Sequence, residues 1–246
     1  MSINIRNKTI LNVAGISVFT AMFCMGCYDL GLEPSVKTPT VETFVDHRDG
    51  HVYKKVKIGE QTWMAENLKY EAEGSACYDE GREGEAWARD PKQMCEAYGR
   101  LYDWYTAMNG EHSSSANPSG IEGVCPVGWH LPSDEEWREL TRYVGIHSGT
   151  KLKSHEYHRN SQTQTPEGTD LYNFSALPGG YGTKRNDGAI NGQHLQQTGY
   201  WWTTTELETD SEQIWVRQLY EVGAEMVTYH MNKHYFMSVR CVHDYD

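Results

Sequence analysis

Four of the six cysteines, Cys77, Cys95, Cys125 and Cys241, lie beyond the N-terminal leader, and their pairing constrains the fold more than any other feature. In an oxidising compartment an even number implies two disulfides, for which three connectivities exist. The favoured pairing joins Cys77 to Cys95 across a local loop, and Cys125 to Cys241 to tie the middle of the domain to its end. On chain-entropy grounds such closures stabilise by about 3 and about 4–5 kcal/mol respectively. No C-x-x-C spacing occurs among the four, so a zinc knuckle is not expected.

The compartment is read from the N-terminus. Arg6 and Lys8 precede an uncharged apolar run from Ile10 to Phe23. The run is shorter than the roughly 20 residues a membrane-spanning helix needs, and it suits the apolar core of a signal peptide. Cys24-Met25-Gly26-Cys27 then resembles a lipoprotein signal, with small Gly26 before the cysteine to be acylated and Cys24 where leucine is usual. An ordinary secretory signal cleaved nearby is the alternative. Two acyl chains anchor a protein stably where one does not. Residues 1–26 are therefore read as signal peptide, and Cys27 as the lipidation site. Residues 27–43 form the lipidated N-terminus and a tether carrying two prolines, and 44–246 the domain. The expected address is the cell envelope, at the outer membrane.

Loss of Arg6 and Lys8 with the leader leaves 20 of the 22 basic residues against 34 acidic ones, a net charge of −14. That balance disfavours nucleic acid as a partner. It is compatible with a structural calcium ion, for which the loop acids Asp79, Glu80, Asp170 and Asp187 are the candidates. No other cofactor is implied.

Along the domain, Val52, Val56 and Ile58 alternate before Gly59-Glu60, and Trp63-Met64 follow, predicting a β-hairpin over 51–68. Polar, glycine-rich Tyr70–Pro91 reads as a surface loop. Tyr98–Met108 reads as a strand-like opening and a short helix with Leu101, Trp104 and Met108 on one face. Ser133 and Glu136 form a capping box with acids at 134, 135 and 136, and Trp137, Leu140 and Val144 make an apolar stripe that Gly145 ends. Lys151–Asp170 is unpatterned. Strands are expected at 174–177, 200–204, 214–220, 225–231 and 236–243, so the class is α+β with two helices.

Six ordered segments carry a family resemblance: WMAENLKY (63–70), CEAYGRLYDWYTAM (95–108), CPVGWHLPSDEEWREL (125–140), FSALPGGYG (174–182), GYWWTTTE (199–206) and SVRCVHD (238–244). Together they resemble the Fibrobacter succinogenes major paralogous domain over about residues 44–244, a family of largely undefined activity found on lipoproteins and secreted proteins. GWHLPSDEEW and SVRCV also resemble stretches of formylglycine-generating enzymes. This implies a C-type-lectin-like fold: a twisted antiparallel sheet, two helices and long disulfide-stapled loops. The enzyme chemistry does not carry over, because it needs a redox-active cysteine pair and Cys241 is the only cysteine after Cys125. The calcium-and-sugar tripeptides Glu-Pro-Asn, Gln-Pro-Asp and Trp-Asn-Asp are absent as well.

Neighbouring strand residues face opposite ways, so of Trp201 and Trp202 one can be core and the other exposed. In the functional reading Trp202, Tyr181, Asn186, Asp187 and Glu206 line one ligand-binding rim. In the competing reading both tryptophans pack on the two faces of a covered sheet. His130 is either a general acid–base or a buried histidine bonded to backbone. The pairs His155/His158 and His230/His234 lack a third ligand in sequence, and no metal site is assigned to them.

No catalytic residues are identified, and the chain is expected not to be an enzyme. The leading expectation is a non-catalytic recognition domain for polysaccharide or an extracellular protein. Two alternatives stand beside it: a structural envelope component with no discrete ligand, and an enzyme of unrecognised type in which His130, Glu206 and Arg240 converge in a cleft.

Overall fold

The first hairpin forms where the alternation places it: β2 (Val52–Ile58) pairs antiparallel with β3 (Gln61–Met64) through a two-residue turn. Gly59 adopts φ +65° there, and a Cβ at this position would lie 2.9 Å from the Tyr143 ring, so both conformation and space demand glycine. This computed structural model describes residues 37–86, 88–155 and 168–244, all within the compact unit Val36–Asp246. Cys27, the leader, residues 27–36 of the tether and His158 lie outside the described residues. A strand not expected, β1 (Val41–Val45), pairs with β2, so three residues assigned to the tether belong to the folded domain.

The architecture is α+β with antiparallel sheets. One sheet runs β1-β2-β3-β10-β4, where β4 is Trp129–His130 and β10 is Val242–His243. The chain's C-terminal strand thus inserts between two earlier strands. The Cys125–Cys241 bond fastens it there, and the Cys77–Cys95 bond closes the local loop, matching the favoured pairing. A hairpin of β5 (Tyr181–Lys184) and β6 (Ile190–Gln193) and a three-stranded sheet of β7 (Thr198–Leu207), β8 (Asp210–Tyr220) and β9 (Val227–Asn232) complete the strands. Two expected strands are mostly bridges. Of 174–177 only Ala176 pairs, with Lys153, and of 236–243 only Val242–His243 forms a ladder.

Among the described residues four helices stand where two were expected. The second, α2 (Trp104–Met108), and the third, α3 (Asp134–Val144), stand where their caps predict, and both reciprocal bonds of the Ser133/Glu136 capping box are present. The first, α1 (Pro91–Tyr98), was hidden by the polar composition. Its start signal is nevertheless explicit: the Asp90 carboxylate accepts from the amides of Lys92 and Gln93, and proline stands at the first helical position. The five-residue α4 (Ser148–Leu152) has no side-chain cap, and its periodicity is too short to read.

Both tryptophans of the central strand are core. Trp202 packs in a cluster with Tyr53, Trp104, Trp129 and Val216, and Trp201 faces the other way, among Trp63, Trp137 and Phe174. Both are 0% exposed. The expectation of an exposed Trp202 is therefore overturned, because α2 and the first sheet cover one face of β7–β8 while α3 covers the other. Its indole N–H donates to the Tyr102 carbonyl at 2.7 Å.

Asn67 ties these layers together. Its Oδ1 accepts from Trp201 Nε1 at 2.9 Å and from Arg240 Nη2 at 2.8 Å, while Nδ2 donates to the Tyr98 carbonyl and to Ser238 Oγ. Replacing Asn67 by leucine leaves a buried guanidinium and an indole N–H without their acceptor. We expect Asn67→Leu to cost about 3–5 kcal/mol of unfolding free energy in a denaturant titration. A loss below about 1 kcal/mol, the net worth of one ordinary hydrogen bond, would refute the role given to Asn67.

Candidate functional site

The five residues expected to share one rim are dispersed. Trp202 is buried. Tyr181, at the start of β5, packs edge-on against Tyr200, Tyr235 and His194, and its hydroxyl donates to Gln193 Oε1 at 2.8 Å. Asn186 and Asp187 sit in the exposed β5–β6 turn, where Asp187 pairs with Arg185 at 2.8 Å. Glu206, near the end of β7, accepts from Lys233 Nζ at 2.6 Å. The loop acids considered for calcium are likewise separated. Asp79 pairs with Arg82, Glu80 accepts from the Cys77 amide, and Asp170 accepts from Ser175. Among the described residues no group of three His, Cys, Asp or Glu side chains is arranged to hold a metal ion. His230 stacks on Tyr229 and His234 lies against Tyr105.

His130, Glu206 and Arg240 do not form a common cleft. Arg240 is fully buried, and its guanidinium donates to Asn67 and to the carbonyls of Phe174 and Ser175. Burial pushes its pKa down to about 9 against the opposing pull of Asp170 and Glu66. His130 is buried between two carboxylates rather than bonded to backbone. Nδ1 lies 2.7 Å from Asp244 Oδ1, and Nε2 lies 2.5 Å from Oε1 of Glu136 in the capping box. Burial alone would lower its pKa, but the hydrogen bonds and charges of Glu136 and Asp244 prevail and raise it above the ordinary 6.5. A raised folded-state pKa stabilises fully below the unfolded value and is lost as pH rises through the folded value. Unfolding free energy should therefore fall as pH climbs above about 6.5, an ordinary histidine pKa, and His130→Gln should abolish that slope. A pH-independent wild type over this range would show that His130 is not held as a cation.

Among the described tryptophans the accessible one is Trp215 on β8. The register pairs Trp201 with Arg217 and Trp215 with His230, which places Trp215 and Arg217 on the α3 side of the sheet. There α3 begins at Asp134, whose carboxylate meets Arg217 Nη2 at 2.5 Å. Trp215 lies two residues beyond Arg217 and is left half-buried, with the exposed His230 ring perpendicular to it at 6.0 Å.

Trp215 walls a cleft of about 630 Å³ lined by Ser113–Ser115, Thr205–Thr209 and Ser211. Hydrogen bonds hold its far wall. Ser114 N donates to the Thr204 carbonyl at 2.9 Å, and the hydroxyls of Thr204 and Thr205 both donate to the Ser114 carbonyl. Register shifts between Trp202 and Leu207 break the β7–β8 ladder beside it, the kind of irregularity that re-aims side chains. Of the five expected residues only Glu206 lines this cleft. The alternation Ile214-Trp215-Val216 was the available sequence signal, since it opposes Trp215 to two apolar core positions. A second cleft, of about 660 Å³, lies beside α1, where Lys69 pairs with Glu96 at 3.2 Å.

The family model of the Fibrobacter succinogenes major domain matches residues 56–243, and the chain belongs to that family. No curated protein and no solved structure matches it.

Proposed function

We propose that this member of the Fibrobacter succinogenes major domain family is an exported lipoprotein whose domain, in a C-type-lectin-like arrangement, binds polysaccharide without transforming it. The observation that carries the reading is the Trp215 cleft. An indole face accepts the apolar C–H face of a sugar ring, and an aromatic contact keeps a polar handle for orientation. The surrounding serine and threonine hydroxyls both donate and accept, which is the complement a polyhydroxylated ligand requires. Glu206 is neutralised by Lys233 and serves as a hydrogen-bond acceptor rather than as half of an acid–base pair.

Aromatic exposure favours recognition over a purely structural role. In a structural component the aromatics would be spent in the core, whereas Trp215 is half-buried and Tyr105, Tyr220 and Tyr229 are exposed. The envelope anchor rests on the leader and on Cys27. No helix among the described residues is long and apolar enough to cross a membrane.

Two experiments test the reading. Against a panel of soluble and insoluble polysaccharides we expect saturable binding that weakens about tenfold or more in Trp215→Ala, equivalent to about 1.4 kcal/mol, with unfolding midpoint retained. Trp202→Ala should instead cost about 3–5 kcal/mol of stability, because it empties a core site. Flat responses across the panel would defeat the polysaccharide reading. Separately, Cys27→Ser should stop incorporation of labelled fatty acid and release the protein from the membrane fraction. Unchanged labelling would remove Cys27 as the lipid-bearing residue.

A further inference from the structure

The charge of the Trp215 cleft narrows its ligand, on the footing that the cleft binds glycan as proposed above. Its ten lining residues include two carboxylates, Glu206 and Glu208, and no lysine, arginine or histidine. Lys233, which pairs with Glu206 at 2.6 Å, is not among the lining residues: it is only 7% exposed and lies 4.3 Å from the centre of the Trp104 ring. The His230 ring stands perpendicular to Trp215 at 6.0 Å, outside the lining. Beyond the cleft the β7–β8 tip continues acidic, with Asp210 and Glu212 exposed. A uronate or sulfated chain would bring like charge against this surface with no cation to meet it, and juxtaposed like charges disfavour a partner strongly.

We propose that the cleft recognises an amine-bearing glycan, with a sugar ring on Trp215 and the ammonium group directed to Glu208. The two acids play different parts. Glu206 has its charge offset by Lys233, whereas Glu208 is exposed at the β7–β8 turn and has no ion-pair partner among the described residues. An ammonium beside Trp215 is attracted both by the Glu208 carboxylate and by the negative face of the indole. Neutral N-acetylated sugars retain the ring stacking and the hydroxyl contacts but lose both of these attractions. Discrimination therefore resides in Glu208 and in the indole face together, and basal affinity in ring stacking on Trp215 and its hydroxyl surround.

The test compares glucosamine oligomers, their fully N-acetylated counterparts of equal length and uronate oligomers. Binding to the full chain is measured calorimetrically at low salt and at a pH where the amine is protonated. We expect the free-amine oligomer to bind about three- to tenfold tighter than the acetylated one, the range of one exposed ion pair plus a cation–π contact. Uronate oligomers should bind weakest. Glu208→Gln should lower the amine-to-acetyl ratio by at least about twofold, leaving the share of the cation–π contact with Trp215. Equal affinities for amine and acetyl forms, uronate binding as tight as amine binding, or an amine-to-acetyl ratio unchanged by Glu208→Gln would each overturn the amine assignment and leave glycan recognition standing. Absence of binding to every oligomer would overturn both.

Discussion

A guanidinium withdrawn from water has to be solvated by the protein itself, and at Arg240 this is done without a directly bonded carboxylate. Asn67 Oδ1 and the carbonyls of Phe174 and Ser175 take its N–H groups, and the guanidinium lies 4.4 Å over the Phe174 ring. The same Asn67 oxygen accepts from Trp201, and its amide holds Tyr98 and Ser238. One short side chain therefore joins the segment after β3, the end of α1, the central strand β7 and the C-terminal segment. Removing any partner strands the others in a medium where an unpaired polar group costs more than a hydrogen bond gains. Gly99 belongs to the same arrangement, since a Cβ there would lie 2.7 Å from Asn67 Cβ.

From this hub follows the burial of both central tryptophans. With β7 held between the β1–β4 sheet and α3, each face of the strand meets a packed layer, and neither Trp201 nor Trp202 can reach a ligand. A tryptophan on these strands reaches solvent where a covering layer stops. On the α3 side that point is Asp134, and the first large side chain past it on β8 is Trp215. The cleft therefore opens beside the start of α3, lined by residues 113–115, 205–209 and 211 together with Trp215.

Much of the local structure was legible because its causes are local. A capping box, a two-residue glycine turn and an even set of cysteines each carry their mechanism within a few residues or in a count. They placed α3 and the β2–β3 hairpin and set the number of disulfides, whose favoured pairing is the one formed. The polar composition around Cys95 conceals α1, although Asp90-Pro91 announces its start. His130 shows the opposite limit. Its partners, Glu136 and Asp244, come from a helix start and from the far end of the chain. Of the two, only the nearby glutamate was recognised in sequence, and then as a capping residue.

What the sequence by itself determined is the family, the number of disulfides, the α+β class and the cap of α3, because these depend on ordered motifs, a count and short-range chemistry. What only the tertiary structure decided is which aromatic reaches solvent. Alternation along β7 sets Trp201 and Trp202 on opposite faces, but whether a face is covered depends on layers contributed from residues 52–64, 104–108 and 134–144. For that reason Trp215, which looks in sequence like one more strand aromatic, stands at the cleft, and Trp202 does not.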